Sequence, residues 1–118
     1  MKTTLLTLVL LLMASLLQGQ NLAGNWNGIL DVQGTQLHVV FHITKEGDTY
    51  KATMDSPDQY VSGIPVTLIA VTYSHIKIEM ANIGMVYEGT LSDNQITGKW
   101  MQSGRSFPLV LSRIEGQD

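Results

Sequence analysis

From Thr35 to Lys45 the chain alternates. Leu37, Val39, Phe41 and Ile43 are apolar, and Gln36, His38, His42 and Thr44 between them are polar, with Val40 the one apolar interruption. Side chains two apart on a strand share a face, so this run predicts a strand with one face on a core and the other in water. A helix would need apolar positions three and four apart, which the stretch does not offer. The same alternation returns in Ile76, Ile78 and Met80, in Met85, Tyr87, Gly89 and Leu91, in Ile96, Gly98 and Trp100, and in Phe107, Leu109 and Leu111. The pattern predicts about eight strands, near 24–32, 35–45, 49–55, 65–71, 74–80, 84–91, 95–102 and 105–112, and no helix of useful length.

Short turn signals separate the runs. Gln33-Gly34, Glu46-Gly47-Asp48, Ser92-Asp93-Asn94 and Ser103-Gly104-Arg105 are hairpin-sized and rich in residues that tolerate left-handed backbone. The middle is less regular: Ser56-Pro57-Asp58-Gln59 and Ser62-Gly63-Ile64-Pro65 read as one longer connection. Short strands at this spacing suggest an all-β barrel or sandwich. Closing into a barrel removes exposed edges, so the expected fold is a small antiparallel up-and-down barrel of about eight strands. Gly28 and Gly89, placed inside strands, are expected at close contacts or at barrel corners.

The first residues follow another logic. Met1-Lys2 is a short positive start, Leu5 to Met13 is an apolar block, and Ala14-Ser15 and Gln18-Gly19-Gln20 end it with small and polar residues. This is the layout of a secretory signal peptide, and the block is shorter than the roughly 20 residues a bilayer span takes. Cleavage after Gly19 or after Ser15 would fit. The expected organisation is a signal peptide over 1–19 and a β-barrel domain over 20–118, in a protein exported to the periplasm or the exterior with no stable membrane span after cleavage. There is no cysteine, so packing alone must hold the fold. Of seven basic residues one, Lys2, lies in the signal segment, which leaves six scattered ones against ten acidic ones. That balance argues against nucleic acid as a partner.

Catalytic chemistry finds little support. The sequence has no Gly-x-Ser-x-Gly elbow and no cysteine nucleophile. His38 and His42 would share a face on a helix, but on a strand they stand roughly 13 Å apart, too far to chelate one ion. Asp55 and Asp58 flank Ser56-Pro57 and are expected to cap turns. No glycine-rich loop leads into a helix, so no nucleotide site is expected. The chain is therefore expected to be no enzyme, with no catalytic residue, no metal site and no cofactor. Trp26, Phe41, Tyr87 and Trp100 fall on the inward faces together with Phe107. They either line a cavity for a small apolar ligand or fill the interior, since an eight-stranded barrel is just wide enough for one or the other.

Two resemblances follow from particular residues. Gly24-Asn25-Trp26 at the start of the first strand resembles the Gly-x-Trp signature of lipocalins. More specifically, Leu22 to Arg113 is similar to the N-terminal β-domain of secreted bacterial α/β-hydrolases of the serine-aminopeptidase type, best represented in Bacteroidetes. The similarity lies in Gly24-Asn25-Trp26-Asn27-Gly28, Leu37 to Ile43, Met54-Asp55-Ser56-Pro57-Asp58-Gln59, Gly63-Ile64-Pro65-Val66, Tyr87-Glu88-Gly89-Thr90-Leu91, Ile96-Thr97-Gly98-Lys99-Trp100 and Phe107-Pro108-Leu109. In those proteins a hydrolase domain follows and carries the catalytic residues, none of which maps onto the matching positions here. The resemblance implies a non-catalytic accessory or binding domain whose partner is a hydrolase domain, with Ser56, Asp58 and Gln59 as the candidate partner contact. The alternatives are a lipocalin-like carrier of a small apolar ligand and the front piece of a serine hydrolase.

Overall fold

The alternating runs become nine strands in a computed structural model that describes residues 21–114; the expected signal peptide, 1–19, lies outside the described residues. The strands are β1 (Gly24–Val32), β2 (Thr35–Glu46), β3 (Thr49–Ser56), β4 (Val61–Pro65), β5 (Leu68–Thr72), β6 (His75–Met80), β7 (Met85–Ser92), β8 (Gln95–Gln102) and β9 (Arg105–Arg113). All pairings are antiparallel, and the sheet runs β4-β3-β2-β1-β9-β8-β7-β6-β5. The last strand therefore pairs with the first, and the sheet curls into an all-β, barrel-like up-and-down fold.

The strand count exceeds the expected eight because β4 (Val61–Pro65) forms within the stretch read as a connection, while the strand expected over 65–71 becomes β5 (Leu68–Thr72) alone. Pro65 carries no N–H to continue a ladder. The chain there changes partner: β4 pairs with β3, and β5 pairs with β6. The two-residue link serves both sides. Val66 donates its amide to Ala52 of β3 at 3.0 Å, and Thr67 donates to Glu79 of β6 at 2.8 Å. Away from this link β4 and β5 remain sheet edges, so the curl closes at one point along the seam and not along its whole length.

The part of the connection read as loop also carries strand. Val61–Pro65 pairs with β3 through a bulge, because β4 has two residues, Ser62 and Gly63, between Val61 and Ile64 where β3 has one, Asp55, between their partners Ser56 and Met54. Gly63 takes φ +68°, and its amide donates to the Asp55 carboxylate at 2.8 Å instead of to a ladder carbonyl. Asp55 so supplies by side chain the acceptor that the bulge removes from the backbone.

The core sits where alternation places it. Trp26, Phe41, Ile76, Ile78, Tyr87, Ile96, Leu109 and Leu111 are buried on the inward face. Gly89 and Gly98 oppose each other on that face in the β7–β8 register. A Cβ on Gly98 would collide with the Glu88 carbonyl, and one on Gly89 would stand 2.8 Å from the Ile96 side chain. Gly28 plays the same part where β9 crosses β1, with the Val110 carbonyl 2.5 Å from its would-be Cβ. These in-strand glycines let neighbouring backbones approach closely as the sheet coils.

One end of the curl is plugged. Leu22 lies beneath Trp26, whose indole N–H donates to the Leu22 carbonyl at 2.9 Å. The turns at 47–48, 73–74 and 93–94 lie at this end, and those at 33–34, 57–60, 81–84 and 103–104 at the other.

Candidate functional site

The end opposite the Trp26 plug is open. A cavity of about 920 Å³ enters between the 33–34, 57–60, 81–84 and 103–104 connections. Its wall is made by Leu30, Leu37, Val39, Met54, Trp100 and Phe107. Each belongs to an inward stripe: Leu30 faces Leu37 across β1–β2, and Trp100 faces Phe107 across β8–β9. Its size falls within the roughly 300–1,000 Å³ of small-molecule sites, and its lining has their mixture of apolar wall and few polar groups.

The polar groups gather at the rim. Ser56 is 4% exposed and its hydroxyl donates to Gln59 Oε1 at 2.8 Å. Gln102 accepts from the Trp100 indole at 3.0 Å and donates to the Ile83 carbonyl at 2.9 Å, so Trp100 is fixed in orientation from the rim. Ser103 and Arg105 complete this side. Arg105 is the single charged residue among those that line the cavity.

The four aromatic candidates divide. Trp100 lines the cavity, and Phe107 stands beside it. Trp26, Phe41 and Tyr87 are 0% exposed and lie deeper, in the packed interior. Tyr87 donates its hydroxyl to the Leu109 carbonyl at 2.8 Å, and burial holds that hydroxyl well above the ordinary tyrosine range. Ser56 and Gln59 meet at the cavity rim, whereas Asp58 turns outward. Alternation found Trp100, but not the rim, because Gln59 and Ser103 lie in turns where the period of two stops. A usable signal did exist for Arg105: it shares parity with Phe107, Leu109 and Leu111, a cation on an otherwise apolar stripe.

Outside the cavity, the two carboxylates hold strand β2. Asp58 Oδ2 accepts the His38 amide at 2.6 Å and approaches His38 Nδ1 at 2.8 Å. Asp55 lies 2.7 Å from His42 Nε2, and His42 Nδ1 lies 2.7 Å from Asn25 Oδ1. The backbone N–H of Gly63 and then His42 hold the Asp55 carboxyl below its ordinary pKa, and the His38 amide and ring do the same for Asp58. His38 and His42 sit on the outward face of β2 with separate carboxylates. Among the described residues no group of three or more His, Cys, Asp or Glu is placed to hold a metal ion. No helix among them is long and apolar enough to cross a membrane.

The 57–60 connection also presents Tyr60, 98% exposed and held at φ +56° at the end of the 3-10 turn Pro57–Gln59. No family model matches this chain, and no curated protein or solved structure is significantly similar to it.

Proposed function

We propose that this is an exported, non-catalytic binding domain that takes a small apolar ligand into the open end of its barrel. The observation that supports the reading is the 920 Å³ cavity, walled by Leu30, Leu37, Val39, Met54, Trp100 and Phe107 and opposite a plugged end. A sheet that needed only a packed interior would fill that end with larger side chains. Here aliphatic walls stay apart and an oriented, largely buried indole forms part of the wall.

Tryptophan fluorescence tests this directly. The protein has two tryptophans: Trp100 lines the cavity, and Trp26 plugs the far end. Titration with a medium-chain alcohol or fatty acid is expected to give a saturable change that disappears in Trp100→Phe. Absence of any saturable change in the folded wild-type protein rejects the reading.

A second reading keeps the similarity to the N-terminal β-domain of secreted hydrolases, and the exposed Tyr60 beside Asp58 and Gln59 favours it. An exposed aromatic on a short ordered turn is a suitable anchor for a partner domain. Here the ligand cavity would serve as an accessory site for an attached hydrolase, and the 57–60 turn would dock against it. Replacing Asp58 and Gln59 with alanine is expected to weaken binding of such a hydrolase domain added in trans while the fold persists. Thermal unfolding of the double variant well below the wild-type midpoint would assign the turn to structure instead.

A further inference from the structure

The inward stripe of β9 begins and ends with arginine. At the plugged end, Arg113 lies over the Trp26 ring and donates to the carbonyls of Asn21 and Ala23 and to the Asn94 side chain. At the open end, the Arg105 side chain makes no hydrogen bond and no ion pair among the described residues. A guanidinium has five N–H donors in a planar fork that matches a carboxylate. Among the described residues it is the only charge lining a cavity with an apolar wall, and it stands at the polar rim, where Gln102 faces it across β8–β9 and Ser103 precedes it in the turn.

We infer that the ligand of this cavity is an amphiphilic anion, an alkyl carboxylate whose chain lies against Leu30, Val39, Trp100 and Phe107 and whose headgroup is held by Arg105 at the mouth. This rests on the cavity being a ligand site. The chain gains by leaving water, and the carboxylate need not be desolvated deeply, because its partner stands where the cavity meets solvent. A charge-assisted, two-pronged hydrogen bond orients the ligand head-out. Arg105 faces along the same stripe as Phe107, so the headgroup contact and one of the chain contacts come from one strand and keep a fixed spacing.

The test compares decanoate with decan-1-ol, which share a chain and differ in head charge, by Trp100 fluorescence on wild-type protein and on Arg105→Gln. Wild-type protein is expected to bind decanoate about tenfold or more tightly than the alcohol, and Arg105→Gln to lose most of that preference because its affinity falls far more for decanoate than for the alcohol. Added salt is expected to weaken decanoate alone. Equal affinity for the two ligands in the wild type overturns the anionic head but leaves the cavity standing. A preference that survives in Arg105→Gln overturns the role of Arg105. Binding of neither ligand rejects the cavity reading itself. Arg105 is exposed and outside the core, and circular dichroism of the variant verifies the fold in the same samples.

Discussion

The guanidinium carbon of Arg113 stands 4.3 Å from the centre of the Trp26 ring, so the last strand grips the first at the plugged end of the barrel. The two residues are also register partners across β1–β9, a pairing recorded only for Trp26↔Arg113 and Asn27↔Ser112. Beyond that short ladder the strands are joined through side chains and close backbone packing at Gly28. Arg113 Nη2 donates to the Asn21 carbonyl at 2.7 Å and Nε to Asn94 Oδ1 at 3.2 Å, which ties the chain before β1 and the β7–β8 turn to the same side chain.

Arg113→Ala is therefore expected to lower stability by about 2–3 kcal/mol, through the lost cation–π contact and the carbonyls left without donors. Arg113→Lys should recover little of this, because an ammonium can neither stack flat on the indole nor fork to several oxygens. Urea unfolding monitored by Trp26 emission measures both.

The glycines of the β7–β8 pair have a sharper consequence. Gly98→Ala places a methyl group against the Glu88 carbonyl and the Gly89 backbone, neither of which can swing aside. The expected loss is about 3 kcal/mol or more, enough to threaten folding of a domain this small. Gly104→Ala meets open space but sits at φ +74°, and should lose only about 1 kcal/mol. Thermal melts of the two variants separate a steric cost from a conformational one.

Asp55 gives the fold an acid dependence of known sign. Its folded pKa lies below the ordinary 3.8, mainly because the Gly63 amide donates to it. A depressed carboxyl pKa stabilises the fold fully above 3.8 and loses that contribution as pH falls through the lower folded value. Asp55→Asn should be less stable than wild type near neutral pH. The gap should narrow at an acid pH below the lowered folded value, where the wild-type carboxyl is also protonated. Unfolding midpoints at the two pH values decide it, and a constant gap would mean that the charge on Asp55 does not matter.

The seam edge is a liability of a different kind. From Val61 to Thr72 no residue is charged, and Leu68 and Val71 of the edge strand β5 are partly exposed. An uncharged edge with β-forming side chains is a template for pairing with another chain. Leu68→Lys puts a charge on that edge directly across from Glu79. It is expected to slow aggregation of concentrated protein, followed by light scattering, with a melting temperature close to wild type.

The outward carboxylates show how local chemistry was readable where ladder geometry was not. Asp55 and Asp58 read as turn caps from their place beside Ser56-Pro57, and each does accept a backbone amide. What they bond was hidden: Asp55 reaches Gly63 across a bulge, and Asp58 reaches back twenty residues to His38. Neither partner follows from neighbouring residues, because the first depends on how β3 and β4 register against each other and the second on how β2 and β3 do.

Alternation of apolar and polar side chains by itself determined the all-β class, the inward stripes and the hairpin turns, since a strand's two faces are set by residue parity alone. It also placed the in-strand glycines at close approaches. The tertiary structure decided the rest. Pairing β9 with β1 turned a meander into a curl, and pairing with β3 made a strand, β4, of residues that read as a connection. Which inward residues pack and which line a cavity was settled by position along the axis: Trp26 and Trp100 have the same parity, yet one plugs an end and the other forms part of the cavity wall. Parity is a property of the chain, but depth is a property of which strands surround a residue, and long-range pairing alone fixes that.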